Sequence, residues 1–232
     1  MNKIWHLAQI NLLQDLPMED LAMIDAMAPM NTVQKGRLIV TPASSEKILY
    51  LLKHGRVRLY KVNEEGKQLT IGILGKGNVF GETDTFSTGS HNAFVEAIDD
   101  VLLCALSKKD LEEIFTKRPQ VAMKMIGILT ERMQEAQNML ENLAFRDVRY
   151  RILYLLTKLA KSFGEDQDKE KEFTTIDIAL SHQEIANMIG ATRESISLSL
   201  ATLAREDLVR TRRKEIAIAV DRVEAILADS TS

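Results

Sequence analysis

The sequence predicts an α+β protein in which an antiparallel β-roll comes first, a long helix follows and a winged helix-turn-helix ends the chain. Three patterns of apolar residues carry this prediction. Apolar residues alternate with polar ones in parts of 33–106, recur at intervals of three and four from Ile126 to Leu143, and keep helical spacing with one interruption from Ser181 to Glu206. Alternation is typical of strands, and the other two spacings are typical of helices. We therefore divide the chain into an N-terminal roll domain at 1–118, a helix with hinge at 119–146 and a winged helix-turn-helix domain at 147–232.

The composition excludes several classes of protein. The 232 residues are 45% apolar and 27% charged, which is ordinary for a globular protein. No apolar run reaches membrane-spanning length, and Met1 is not followed by a secretory segment, so we expect a cytoplasmic protein without a membrane partner. Cys104 is the only cysteine. A disulfide within the chain, a cysteine-ligated zinc site and an iron–sulfur cluster are therefore excluded, and the apolar surroundings of Cys104 predict a buried structural thiol.

The first 118 residues predict a helical segment followed by the roll. From about Met1 to Met30 the apolar spacing is helical. Ile48 to Leu52 then predicts a buried strand, and eight glycines between positions 36 and 89 supply turns of the kind that an antiparallel roll requires. Two further alternating runs follow, with Val57 and Leu59 alternating with Arg56, Arg58 and Tyr60, and then Leu69, Ile71 and Ile73.

A pair of helices is predicted after the roll. Ser107 and Asp110 resemble a capping box, and Pro119 suits the first position of a second, longer helix. The longer helix carries an apolar seam with the heptad spacing of helices that pair: Ile126, Leu129, Met133, Ala136, Leu140 and Leu143. The seam could pack on the protein's own roll, but its regularity favours a homodimer, so we interpret this segment as a dimerisation helix.

The last part of the chain predicts a winged helix-turn-helix. Asp147 is expected to cap a helix at 148–163, whose Ile152, Leu155, Leu156 and Leu159 would form a supporting core. In the stretch from Ser181 to Glu206, Gly190 suits a sharp turn and Thr192 the N-cap of the second helix. Leu208-Val209 and Ile216–Ile218 then predict two strands around a basic turn.

The outer face of the second helix suggests contact with nucleic acid. With Ile196, Leu200 and Leu203 turned inward, Arg193, Glu194 and Ser197 share the outer face near the N-terminus. Arg can bind guanine through two hydrogen bonds, and Glu can accept from cytosine, although solvated surface charges are the simpler interpretation of two isolated residues.

Local charge favours the nucleic-acid interpretation. The net charge of the chain is −3. The segment from Ser181 to Lys214 nevertheless holds six cations against four anions, while acidic residues gather in GEDQDKEKEF, which predicts an exposed loop.

In this order, the segments resemble those of the CRP/FNR family of bacterial transcription regulators. KHGRVRLYKVNEEGKQLTIGILGKGNVFGE resembles the family's cyclic-nucleotide-binding roll, ENLAFRDVRYRILYLL its hinge, and SHQEIANMIGATRESISLSLATL its DNA-reading unit. The resemblance covers nearly the whole chain. It implies a dimer that binds inverted-repeat double-stranded DNA, with RNA polymerase as a further partner.

The resemblance also assigns roles to individual residues. Arg193 and Glu194 stand where the family reads a G·C pair, and Ser197 at another base-reading position. Leu198 replaces a second guanine-reading arginine of the cAMP-responsive members, so we expect a different half-site outside the Arg/Glu-read pair. Phosphate contacts are implied for the remaining positions: Ser181, His182, Gln183, Thr192, Ser195 and Lys214.

An effector pocket in the roll is implied at Gly81 and Glu82, but its phosphate and base contacts differ from those of members that bind cAMP. His91 and Asn92 replace an Arg-Ser pair, and Ala136 and Gln137 replace a Thr-Ser pair on the long helix. A phosphate that lacks its bidentate arginine loses its main charge-assisted bonds. We therefore expect no dependence on cAMP, and either a different ligand or none.

Other classes of function find less support. The four histidines, at positions 6, 54, 91 and 182, share no ligand spacing, so neither a metal site nor haem is expected. No catalytic constellation predicts an enzyme. A small-molecule sensor whose winged helix binds a protein instead of DNA stays open as an alternative.

Overall fold

The computed structural model of the chain describes residues 7, 10–44, 47–83, 87–88, 90–164, 172–212 and 215–229. The chain divides into two compact units, Met1–Ala136 and Gln137–Ser232. The boundary lies inside the long helix, whereas the apolar pattern predicts this helix as a segment of its own. None of the described helices is both long and apolar enough to cross a membrane.

The first unit is built on two antiparallel four-stranded sheets, as the fold class predicted. Their orders are β1-β8-β3-β6 and β2-β7-β4-β5. Helix α1 (Met18–Met27) precedes the strands, which are β1 (Met30–Val33), β2 (Leu38–Val40), β3 (Leu49–His54), β4 (Val57–Val62), β5 (Gln68–Leu74), β6 (Val79–Gly81), β7 (Phe94–Ala97) and β8 (Val101–Leu106). One apolar cluster joins β3 and β8 to the helices, and a second lies around Leu59, Phe80 and Val95. Cys104 is fully buried in the first cluster, which confirms its predicted burial.

Turns interrupt the helical segment expected from Met1 to Met30, in which Leu7 and Met18–Met27 are helical. Residues 1–6 and 8–9 lie outside the described residues, and residues 11–15 form turns. Helix α1 begins after Pro17, and Met30 already pairs with Cys104 as the first residue of β1. Proline stops a helix from extending towards the N-terminus, because its ring clashes with the preceding turn.

The alternation predicted for β4 and β5 is correct as a strand signal, but it misplaces three side chains. Tyr60, assigned with the polar face, is buried and stacks on Phe94, with ring centroids 5.3 Å apart. In β5, Thr70 is buried while Leu69 and Ile71 are each 40% exposed. The β4–β5 register shifts between Leu59 and Tyr60, and such a bulge turns the following side chains to the opposite face.

Two helices follow the sheets: α2 (Lys108–Lys117) and α3 (Pro119–Phe145). The capping box predicted at Ser107 and Asp110 is present, and it satisfies donors at the start of α2. Arg118, between the helices, pairs with the buried Asp20 at 2.5 Å, and this hydrogen bond raises the pKa of Arg118. Helix α3 begins at Pro119 as predicted and turns Val121 and Met125 into the core of its own unit.

The second unit supports its two central helices with a third helix and a small sheet. Its elements are α4 (Val148–Phe163), β9 (Thr174–Ile176), α5 (His182–Ile189), α6 (Arg193–Arg205), β10 (Val209–Arg212), β11 (Glu215–Ile218) and α7 (Val220–Asp229). The sheet order is β10-β11-β9. Asp147 caps α4 as predicted, accepting a hydrogen bond from the Tyr150 amide at 2.8 Å. Leu155 is only half-buried, and Leu153 lies in the core instead.

Candidate nucleic-acid interface

The turn between α5 and α6 depends on Gly190. Gly190 adopts the left-handed conformation, with φ 64° and ψ 44°. A side chain there would also crowd Leu143, whose Cδ2 would lie 3.2 Å from an added Cβ. Thr192 then caps α6 by accepting a hydrogen bond from the Ser195 amide at 3.2 Å, which confirms the predicted cap. The turn therefore sets the direction of α6 through backbone conformation and packing together.

Helix α5 is anchored at both ends. Ser181 and Glu184 form a capping box at its start, with the Ser181 amide donating to the Glu184 carboxylate at 2.6 Å. At its end, the Arg151 guanidinium donates to the Ile189 carbonyl at 2.8 Å. An Arg near a helix C-terminus satisfies a free carbonyl and favours the helix dipole. Ser181 thus holds the helix start, and Gln183 is exposed beside it, donating to Asn187 at 2.9 Å.

The outward face of α6 begins with two exposed charges. Ile196, Leu200 and Leu203 are buried, as predicted. Arg193 and Glu194, on the first turn, are exposed. Further along the same face, Leu198 is 73% exposed. The face therefore combines a charged first turn with an apolar middle.

Three polar side chains on or beside α6 are already hydrogen-bonded within the unit. Ser197 donates its hydroxyl to the Arg193 carbonyl at 2.9 Å. The His182 Nδ1 lies within hydrogen-bond distance of the Ser197 Oγ, at 2.8 Å. This contact joins the start of α5 to α6. Ser195 lies 3.0 Å from the Thr192 hydroxyl, within the cap itself.

A basic wing lies next to the two helices. β10 and β11 pair antiparallel from Val209↔Ile218 to Arg212↔Glu215, as the predicted strands require. Arg210 and Arg212 are exposed, and the Arg210 guanidinium lies 3.7 Å from the Phe173 ring centre. Lys214 and most of the acidic stretch GEDQDKEKEF fall outside the described residues.

An ion pair links α4 to the residue that ends α6. Arg149 contacts both carboxylate oxygens of Glu206, at 2.8 and 2.5 Å. These hydrogen bonds lower the pKa of Glu206 and raise that of Arg149. Because the folded-state pKa of Glu206 is depressed, the contribution to stability is present at neutral pH and is lost as pH falls through the lowered value. The pair is exposed, so this contribution is small.

Four of the predicted effector residues, Gly81, Glu82, His91 and Asn92, lie close together in the first unit. Gly81 and Glu82 leave β6, and Glu82 lies 3.1 Å from the Nδ1 of His91. Asn92 has a left-handed backbone, with φ 52°. Gly81, Glu82 and Asn92 line a cleft together with Thr41, Ser44, Tyr50 and Ser90. Ala136 and Gln137 are both exposed on α3.

Ser90, which lines this cleft, and Arg132 on α3 are not among the site residues predicted from the sequence. Ser90 is 3% exposed, and its hydroxyl has no hydrogen-bond partner among the described residues. Arg132 reaches from α3 to the carbonyls of Val79 and Thr88, the first at 2.5 Å, and its burial lowers its pKa. Neither had a signal in the sequence, because a lone serine and a lone arginine match no motif.

Most of the predicted seam on α3 lies uncovered in the single chain. Ile126, Met133 and Leu140 are 55%, 60% and 66% exposed, and Leu143 is also exposed. Leu129 differs, because it is half-buried against the core of its own unit. An apolar row one heptad apart on one helix face is the arrangement that a pairing helix requires.

Both units of the chain match known domain families. A cyclic nucleotide-binding domain matches residues 30–118, and a Crp-like helix-turn-helix domain matches residues 150–226. The cyclic AMP receptor protein of Thermus thermophilus is 32% identical over 176 residues, covering 76% of this chain and 77% of that protein. The global nitrogen regulator of Synechococcus elongatus is 30% identical over 187 residues, covering 80% and 83%.

The solved structures agree with these relatives in fold. A CRP/FNR-family transcriptional regulator from Thermus thermophilus matches with a TM-score of 0.69 at 24% identity, over 86% of this chain and 98% of that one. At this identity the likeness concerns the fold, whereas the curated relatives establish kinship over most of the sequence. On the helix-turn-helix geometry and these matches together, the chain belongs to the CRP/FNR family of transcription regulators and carries that family's DNA-binding domain.

Proposed function

We propose that this regulator is a homodimer that reads an inverted-repeat DNA site through α6 of each protomer and does so without cAMP. Its proposed ligand is chromosomal DNA, so we assign its action to the cytoplasm, with RNA polymerase as its partner in transcription. The observation that carries the proposal is the first turn of α6. Arg193 and Glu194 are exposed there, and neither side chain has a partner among the described residues.

The geometry of α6 supports base reading by these two residues. In helix-turn-helix proteins the N-terminal part of the second helix enters the major groove. An arginine can donate two hydrogen bonds to guanine, and a glutamate can accept from cytosine. A side chain that is already hydrogen-bonded would have to break that bond before it could bind a base. Arg193 and Glu194 have no such bond to break among the described residues. They therefore suit a G·C pair in each half-site.

The surrounding hydroxyls and cations suit the phosphates on either side. Ser181, Thr192 and Ser195 lie at helix N-termini, where backbone amides and hydroxyls favour anions. Arg210 and Arg212 of the wing, and Lys214 by its position in the sequence, add positive charge. His182 and Gln183 complete the set at the start of α5. Such contacts position the protein without selecting a sequence.

The exposed seam supports the dimer. Apolar side chains spaced by seven residues on one face of a helix are stabilised when a second helix covers them. A two-fold dimer would bring two copies of α6 to half-sites about 34 Å apart, one turn of DNA. We therefore expect a palindromic operator with that spacing.

A salt titration tests the proposed function directly. Duplex DNA selected from a random library is titrated with the protein at several salt concentrations. With about six to ten phosphate contacts, affinity should fall about 10³–10⁵-fold between 50 and 200 mM salt. Failure to select any duplex would contradict DNA binding and favour a winged helix that binds protein.

Replacing Arg193 with Ala should weaken binding to the preferred site by about 1–3 kcal/mol and relax the choice of base at one pair in each half-site. The loss arises because guanine keeps two acceptors that no longer find a donor. Binding to the selected site and to random duplex is compared by fluorescence anisotropy.

Arg205→Ala is the matched control, because it removes the same charge from the last turn of the same exposed helix. It should weaken specific and random DNA alike. If Arg193→Ala also weakens both alike, Arg193 has no role in base reading.

The independence from cAMP rests on the polar groups of the cleft. A cyclic phosphate is bound best by a fixed cation, and the side chains lining the cleft among the described residues include none. His91 faces the Glu82 carboxylate instead, and Arg132 directs its hydrogen bonds to two backbone carbonyls. One hydrogen bond from a ribose hydroxyl to Glu82 would contribute only about 0.5–1.5 kcal/mol. This is less than the cost of immobilising a ligand.

We therefore expect calorimetry with cAMP or cGMP to give no saturable heat of binding at ligand concentrations up to about 100 μM. Operator binding by protein freed of bound small molecules should be unchanged by either nucleotide. Micromolar cAMP affinity, together with a cAMP-dependent gain in operator binding, would overturn this part of the proposal.

A further inference from the structure

We propose that Leu198 selects a thymine in each half-site by packing against its 5-methyl group. This inference rests on the proposed function, and it names a base that the charged residues of α6 leave unread. Leu198 follows Glu194 by one helical turn on the same face. Four residues of helix advance about 6 Å, and base pairs are about 3.4 Å apart, so the thymine lies within about two base pairs of the G·C pair.

The exposure of Leu198 is the first observation. It is the most exposed of the large apolar residues on α6, at 73%, while Ile196, Leu200 and Leu203 are buried. An isolated exposed leucine on a protein surface needs no explanation by itself. Leu198, however, lies in the middle of the face that α6 presents to DNA in the proposed function. A leucine there cannot hydrogen-bond to a base edge, so an apolar group opposite it is favoured.

The hydroxyls on either side of Leu198 are the second, independent observation. Ser197 donates to the Arg193 carbonyl at 2.9 Å, and Thr202 donates to the Leu198 carbonyl at 3.2 Å. Each hydroxyl hydrogen is therefore used within the helix itself. Ala201 and Thr202, which follow Leu198 by three and four residues on α6, are also exposed.

The middle of this face thus offers few free hydrogen-bond donors and one large exposed apolar side chain. Of the four bases in the major groove, only thymine presents an apolar group there, its 5-methyl. Contact with that methyl removes apolar surface of both partners from water. The methyl needs no hydrogen bond, and the polar atoms beside it on the base edge can keep their bound water. The geometry points to thymine over the other three bases.

Deoxyuridine tests this contact, because it differs from thymidine only by the missing methyl. The operator is first selected from a random library with the wild-type protein. Each thymine within two base pairs of the G·C pair is then replaced in turn by deoxyuridine in both half-sites. Wild-type affinity should fall about four-fold per half-site at one position, the value of one buried methyl group. Deoxyuridine outside the site should have no effect.

Variants of Leu198 separate the contact from a general weakening. Leu198→Ala should bind the thymine and deoxyuridine operators equally, while Leu198→Met, which keeps an apolar contact, should still prefer thymine. Thermal midpoints of both variants should match the wild type, because the side chain is exposed. Wild-type indifference to deoxyuridine at every position, or an unchanged thymine preference in Leu198→Ala, overturns the inference and leaves DNA binding standing. Failure to select any operator overturns the proposed function itself, and the inference with it.

Discussion

Leu140→Lys should give monomers that no longer bind the operator with measurable affinity. In the proposed dimer each Leu140 faces a neighbouring helix, and a lysine there would bury a charge close to its own symmetry mate. An uncompensated buried charge costs about 3–5 kcal/mol. Two such charges at one seam should raise the dimer dissociation constant by at least about a thousand-fold. Sedimentation velocity at micromolar concentration measures the change.

Two variants control for charge and for size. Glu131→Gln alters the net charge of α3 by the same single unit at another exposed position, and it should stay dimeric. Leu140→Met keeps an apolar side chain and should also stay dimeric. A wild-type protein that sediments as a monomer at micromolar concentration, yet binds the palindrome tightly, would contradict the dimer.

Gly81→Ala should destabilise the first unit by about 2–6 kcal/mol, which is a large part of the usual stability of a domain. Gly81 has φ 107°, a conformation that residues with a Cβ rarely adopt. An added Cβ would also overlap the Ile48 carbonyl oxygen, which accepts a hydrogen bond from the Glu82 amide at 3.2 Å. The strand pair β3–β6 would have to separate at Leu49↔Gly81 to admit it. Thermal unfolding followed by circular dichroism measures the loss.

Gly66→Ala is the matched control for this prediction. Its φ of 79° is also positive, but an added Cβ there has no heavy atom within 4 Å. The substitution should therefore cost only the backbone strain, about 1–2 kcal/mol. Equal losses in the two variants would mean that the close approach of Ile48 contributes nothing.

Local signals accounted for most of the fold. Caps at Ser107, Asp147 and Thr192 were predictable because each depends on a hydroxyl or carboxylate within three residues of the amide it accepts from. The inner face of β5 was not predictable, because it depends on a bulge in the pairing with β4, and no residue of either strand indicates that bulge. Strand β9 also escaped notice, since three residues, Thr174–Ile176, are too few for a periodic signal.

The candidate interface was predictable in its residues but not in their bonding. Spacing alone indicated that Arg193 and Glu194 face outward. That Ser197 is held by His182 and Arg193 follows from rotamers and from the approach of α5 to α6, which are tertiary facts. The same holds for Ser90, whose hydroxyl is buried without a hydrogen-bond partner among the described residues by parts of the chain that are distant in sequence.

The side chain of Leu143 lies close to Gly190, at the turn between α5 and α6. Leu143 belongs to the predicted seam of α3, and it also packs beside the turn that directs α6. In a dimer paired through that seam, the equilibrium of protomer association and the equilibrium of operator binding would be linked. Linkage is reciprocal: whatever factor dimerisation adds to DNA affinity, DNA must add to dimer affinity. At concentrations where free protomers stay apart, the operator would then act as the template on which they assemble.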